Sequence, residues 1–171
     1  AQTSDAKEVT QTDTKASGVL QINTDQSTVT WVGTKPTGQH NGTIKLQSGV
    51  LRVNGSDVVG GNFIMDITTL AVLDMDDENN GKLGGHLKSP DFFDTAKHPT
   101  AAFAITGVTP FDAATAKEKP LLAGATHTVA GNLTLKGVTK NVTFPAIIKT
   151  NGSTLAAKAN FNIDRTLWGL N

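Results

Sequence analysis

Cysteine is absent from the 171 residues. The chain therefore forms no disulfide, offers no thiolate to a metal and carries no cysteine nucleophile. Arginine is almost absent: Arg52 and Arg165 stand alone, so bidentate phosphate readers are scarce. Charge of one sign is lacking too, because 15 Lys and Arg balance 15 Asp and Glu. A neutral surface does not gather polyanions, which argues against nucleic acid as the main partner. No apolar run reaches the ~18–20 residues that a membrane-spanning helix needs. Hydrophobic residues make up 37% of the chain, a modest share that suits a thin-walled sheet better than thick layers. The first residue is Ala1 rather than Met, as in a processed or trimmed chain.

Residues 1–17 (AQTSDAKEVTQTDTKAS) hold one large apolar residue, Val9. Burial cannot offset the ordering entropy of such a segment, so a flexible polar tail is expected. Two roles fit it equally: a spacer that follows a membrane anchor, or an ordinary disordered terminus.

From Gly18 onward the dominant period is two, the strand period. VLQINTD and STVTWVGTK come first, then GTIKLQ and VLRV, separated by Ser48-Gly49. Asn54-Gly55 is the strongest short hairpin signal. NFIMDITTLAV follows, then TAAFAITGV, a loop over 110–126, a hairpin around Lys136-Gly137, a turn at Asn151-Gly152, and STLAAKANFNIDRTLWG. Many short strands in sequential hairpins point to one antiparallel up-and-down β-barrel over 18–171, of about eight strands, just wide enough for one small ligand.

A short helical insertion is expected around residues 76–95. Ser89-Pro90-Asp91 reads as N-cap, first helical position and acidic first turn, which starts a helix carrying Phe92 and Phe93. An earlier segment through Leu83 and Leu87 is weakened by Gly81, Gly84 and Gly85, at ~1 kcal/mol each.

Reaction chemistry has little support. His40, His86, His98 and His127 contain no pair at i, i+2 or i+4 and no HExxH, so local zinc spacing is missing. The acidic run Asp74, Asp76, Asp77 and Glu78 fails the EF-hand pattern, with Asn79 where Gly and Gly85 where Glu belong. There is no GxSxG and no phosphate loop ahead of a helix. Asp164-Arg165 reads as a strand-end ion pair that fixes the rim.

What remains is an apolar stripe: Trp31, Phe63, Met65, Ile67, Phe103, Ile105, Leu133, Leu135, Phe144, Phe161 and Ile163 fall on one face of their strands. The plainer reading is a packed core. In a barrel, the same face lines the interior.

The stretch His86-Leu87-Lys88-Ser89-Pro90-Asp91-Phe92-Phe93-Asp94, with Lys97-His98-Pro99-Thr100-Ala101-Ala102-Phe103, resembles the signature of the YceI-like family. The resemblance extends upstream to Ser27–Trp31, to Gly38-Gln39-His40-Asn41-Gly42 and to Gly60-Gly61-Asn62-Phe63. Downstream it includes Val129–Lys140 and Phe161-Asn162-Ile163-Asp164-Arg165 with Trp168-Gly169. It implies an extended lipocalin-like barrel with helices near one end. It also implies an exported bacterial protein, periplasmic or otherwise extracytoplasmic, that binds long isoprenoids or similar lipids and catalyses nothing. On that reading the eleven stripe residues contact the lipid tail, and Phe92 and Phe93 pack or gate the rim. The bound species is an isoprenoid, quinone or fatty amide, with no metal or other cofactor. Anchoring to a membrane through the tail and homodimer formation are the expected associations. Family members continue after the Trp-Gly segment into a further strand, so the barrel as read lacks the strand that seals it. The competing reading is an exported stress-response or interaction module with a filled barrel, using the loops at 70–90 and 110–126.

Overall fold

Alternation of apolar and polar residues becomes strand structure throughout a computed structural model of the chain, which describes residues 1–9, 17–116, 119–152 and 154–171. Among these are nine strands and one α-helix: β1 (Gln2–Asp5), β2 (Gly18–Gln21), β3 (Val29–Lys35), β4 (Gly38–Asn54), β5 (Asp57–Val72), α1 (Asp77–Lys88), β6 (Thr100–Pro110), β7 (His127–Leu135), β8 (Val138–Asn151) and β9 (Thr154–Ala159). All pairings are antiparallel. The order is β1-β8-β7-β6-β5-β4-β2, with β3 also on β4 and β9 also on β8. The two outer edges are therefore β2/β3 and β1/β9, and no ladder joins them among the described residues.

Turn chemistry sets the hairpins. Gly55 sits at φ 63° between β4 and β5. Lys136 and Gly137, at φ 48° and 75°, join β7 to β8, where Leu135 pairs with Val138. Two successive residues at positive φ match the strand twist, and glycine meets that demand without strain.

Ser48-Gly49 does not divide two strands. β4 runs through it for 17 residues, with a register shift against β5 between Leu46 and Ser48. Gly49 makes room rather than a turn: a Cβ there would lie 2.5 Å from Ile22 Cδ1 and 2.7 Å from Phe63 Cβ.

The helix also differs from the expectation. It is the earlier segment that forms, over Asp77–Lys88, and Ser89 ends it instead of starting one. The Asp76 carboxylate accepts from the Asn79 N–H at 2.9 Å and caps the N-terminus, while Asp77 and Glu78 complement the dipole. Ser89 is extended and donates its N–H to the His86 carbonyl at 3.0 Å. Pro90 follows, and residues 90–93 form turns. The helix survives its glycines because Leu83 and Leu87 pack on the core, and Gly84 brings the backbone close to Val72.

The polar segment at the N-terminus is not wholly without structure. Gln2–Asp5 pair with Thr143–Lys140 of β8. The side-chain amide of Asn132 then imitates a strand: its Oδ1 accepts from the Lys7 N–H at 3.0 Å and its Nδ2 donates to the Lys7 carbonyl at 2.6 Å. Backbone pairing to an available edge supplies what apolar burial could not. Residues 10–16 of the expected tail lie outside the described residues.

β9 is shorter than the alternation predicts and ends at Ala159. Residues 160–164 keep an alternating exposure but carry no ladder. A 3-10 turn, Arg165–Trp168, follows, with Trp168 and Leu170 fully enclosed.

Candidate functional site

One contiguous apolar cluster forms the core of the sheet. All thirteen residues expected to face a ligand belong to it. Met65, Ile67, Phe103, Ile105, Leu133, Leu135 and Phe144 are buried. Trp31, Phe63, Phe92, Phe93, Phe161 and Ile163 are half-buried and packed against them.

Four phenylalanines form a ladder across the strands. Phe63 on β5 stacks on its register partner Phe103 on β6, with centroids 5.2 Å apart. Phe103 approaches Phe144 on β8 at 5.7 Å, and Phe144 stacks on Phe161 at 4.0 Å. β7 lies between Phe103 and Phe144, and Gly131 is what lets the ring cross it. A Cβ at 131 would meet Phe103 Cζ at 2.2 Å. The indole of Trp31 is seated similarly over its β4 partner Gly42, where a Cβ would fall 2.8 Å from Cζ2.

Polar groups in this apolar setting are few and defined. Trp168 Nε1 donates to the Leu133 carbonyl at 2.9 Å. Trp31 Nε1 is buried and has no hydrogen-bond partner among the described residues. A buried N–H without an acceptor costs about 1–3 kcal/mol, so an acceptor oxygen brought to it would recover that cost.

Phe92 and Phe93 follow α1, edge to face at 5.1 Å. The Arg165 guanidinium lies 5.5 Å from the Phe92 centroid, and the His86 ring is tilted against Phe92 at 6.3 Å. Arg165 also donates to the Leu170 carbonyl. Asp164 is close enough to feel the Arg165 charge, but its main task is to cap the 3-10 turn, accepting from the Thr166 hydroxyl at 2.6 Å and the Thr166 N–H at 3.1 Å. These bonds, and after them the Arg165 charge, hold its pKa below the usual carboxylate value.

Two open hollows border the cluster. The first, about 470 Å³, is lined by Phe161, Ile163, Pro145, Pro120 and Leu121, with Lys119 and Asp164 at its margin. The second, about 390 Å³, lies between α1 and β5 and is lined by Leu70, Val72, Gly81, Gly84, Gly85 and Lys88. Phe161, Ile163, Leu70 and Val72 all belong to the apolar cluster, which thus reaches both hollows.

The acidic run is divided among separate tasks. Asp74 accepts from the Asn41 N–H at 3.1 Å and pairs with His40 Nδ1 at 2.9 Å, and those contacts lower its pKa, the Asn41 bond most. Asp76 caps α1, and Glu78 pairs with Lys82 at 2.6 Å. Sequence reasoning missed Trp168, Leu170, Val142 and Asn141 as the most enclosed side chains. The buried Asn141 donates to Thr106 Oγ1 and Asn132 Oδ1, at 3.0 and 3.2 Å.

The sequence profile of the YceI-like domain matches residues 20–171. The chain belongs to the YceI-like family. A UPF0312 protein of Azotobacter vinelandii is 40% identical over 70 residues, 41% of this chain and 31% of that protein. Protein YceI of Escherichia coli O157:H7 is 33% identical over 105 residues, 61% of this chain and 47% of that protein. These matches span a third to a half of the relatives' length. Among solved structures, Burkholderia cenocepacia BcnA superposes with a TM-score of 0.50 at 19% identity, covering 84% of this chain and 69% of that one. Campylobacter jejuni YceI gives 0.51 at 15%, covering 85% and 68%. At such identities the likeness carries the fold: the all-β, lipocalin-like barrel class with a helical insertion.

Proposed function

We propose that this YceI-like chain binds, stores or carries a long-chain amphiphile and catalyses no reaction. The tail lies against the phenylalanine ladder, and the ligand is an isoprenoid, quinone or fatty amide. The observation that carries the reading is the apolar cluster that extends from one hollow to the other. Each methylene buried there contributes about 0.8 kcal/mol. The partnerless Trp31 N–H adds one polar handle for a head-group oxygen. The polyisoprenoid association of the family supports the same reading. On it, the protein works outside the cytoplasm, where a hydrophobic cargo needs a carrier.

Native mass spectrometry of detergent-free, delipidated protein refed with polyprenol, quinone and fatty amide tests this. A bound species at one per chain is expected with at least one class. No bound species with any class overturns the reading.

A second reading is favoured by how closely Phe103 fills the space above Gly131. There the interior is wholly packed and the protein is an interaction module, with the loops at 70–90 and 110–126 as its surface. Capture of a protein partner by the unliganded chain, abolished by loop substitutions, would select it.

A further inference from the structure

The outer edge of β8 serves two strands. β9 pairs Thr154–Ala159 with Asn151–Ala146, and β1 pairs Gln2–Asp5 with Thr143–Lys140. Phe144 and Pro145 lie between, and Pro145 has no N–H to give a ladder. Carried on at the β9 register, Asn160–Asp164 fall opposite Pro145–Asn141, and Arg165 falls opposite Lys140. β1 holds four of those positions, Thr143–Lys140.

Three observations show that residues 160–164 remain close to that register without occupying it. Phe161 already stacks on Phe144, its partner in the continued register, at 4.0 Å and 10° between planes. Exposure alternates along the segment as in a strand, and Asp164 has extended φ and ψ of −87° and 100°. The first hollow lies beside the junction of the two segments: Ala1, Pro145 and Asn160–Asp164 line it, and the Ala1 amine donates to the Asn162 carbonyl at 2.6 Å, which keeps residue 162 next to the slot.

We propose that Asn141–Thr143 of β8 form a single strand slot for which β1 and residues 162–164 compete, and that their exchange opens and closes the hollow beside Phe161. Charge at Lys140 biases the choice. β1 brings Asp5 to Lys140, with Nζ to Oδ1 at 3.1 Å, whereas the continued β9 would bring Arg165 there. Opposite charges across a ladder stabilise it and like charges do the reverse. β1 is otherwise a weak occupant, four mostly exposed polar residues held at one end by the Asn132 clasp on Lys7 and at the other by the Ala1 bond to the Asn162 carbonyl. With β1 in place, Phe161 and Ile163 face the hollow. With 162–164 zipped onto β8, the walls merge and the hollow is lost.

The full chain without added ligand provides the test, so lipid binding and strand exchange stand or fall separately. Since cysteine is absent, an introduced pair is unambiguous. Gln2→Cys with Thr143→Cys reports β1 in the slot, and Asn162→Cys with Thr143→Cys reports its replacement. Both disulfides should form, the second more slowly. Adding Asp5→Lys should speed the second by about fivefold, while amide exchange slows over 160–164 and quickens over 2–5. Should Asp5→Lys not fold, Thr3→Pro weakens β1 alone, since proline disfavours a paired strand, and the same shifts are expected. If the Asn162–Thr143 pair fails to close in any folded background in which the Gln2–Thr143 pair closes, the slot has one occupant and the proposal is wrong.

Discussion

Replacing Gly131 by alanine puts a methyl group where the Phe103 ring now lies. The added Cβ would be 2.2 Å from Cζ and 2.7 Å from both Cε atoms. Ordinary contact needs more than 3.4 Å, so the ring must move by over an ångström. Phe103 has little freedom to do so, because Phe63 and Phe144 flank it at 5.2 and 5.7 Å and it is only 4% exposed. Overpacking a core costs about 1–3 kcal/mol, and loosening an aromatic pair about 0.5–1.5, so Gly131→Ala should destabilise by about 2–4 kcal/mol. Urea unfolding followed by fluorescence measures it cleanly, since the chain has two tryptophans and no tyrosine. Trp168 reports on this strand directly through its bond to Leu133. Phe103→Leu in the Gly131→Ala background should return part of the loss, because a shorter side chain vacates the contested space. A Gly131→Ala protein within 0.5 kcal/mol of the parent, or a double variant whose losses simply add, would refute the claim that the ring bridges β7 over that glycine.

Two further outcomes follow from named atoms. Trp31→Phe keeps the ring but removes the partnerless N–H, so affinity for palmitamide should fall about tenfold while that for hexadecane holds; equal losses for both would assign the indole to packing alone. Asp76 has a pKa below the ordinary 3.8 because the Asn79 N–H and side-chain amide donate to its carboxylate. A lowered folded value contributes stability that is complete above the ordinary pKa and is lost as pH falls through the lowered one. NMR shifts of Asp77–Lys88 should therefore move toward coil in that acid window before the sheet melts, and Asp76→Asn, which still caps, should flatten the step. A helix indifferent to both acid and Asp76→Ala would contradict the cap.

The sequence was most legible where one residue type meets one physical demand. Lys136-Gly137 and Asn54-Gly55 mark hairpins because positive φ selects glycine there. The apolar stripe was readable because side chains alternate along strands, so Phe63, Phe103 and Phe144 had to share a face. Gly49 and Gly131 misled or stayed silent for a common reason. Each is small because another strand's side chain needs the space, and such a demand comes from residues distant in sequence. The helix was misplaced because capping residues precede both Asp77 and Pro90, and only packing of Leu83 and Leu87 decides between them. β1 was invisible for a further reason: Gln2–Asp5 carry no apolar pattern, and pairing to the edge of β8, with the Asn132 clasp on Lys7, recruits them. Trp168 looked like the close of a strand, yet its indole is held by a carbonyl of β7.

The central claim is that the phenylalanine ladder receives a lipid tail. A crystal structure of delipidated protein refed with one binding amphiphile tests it most directly. Continuous elongated density is expected along Phe63, Phe103, Phe144 and Phe161, ending at a polar atom within hydrogen-bond distance of Trp31 Nε1 or at the hollow beside Lys119. Side chains packed as they are now, with the amphiphile bound only on the outer surface or nowhere, would contradict it.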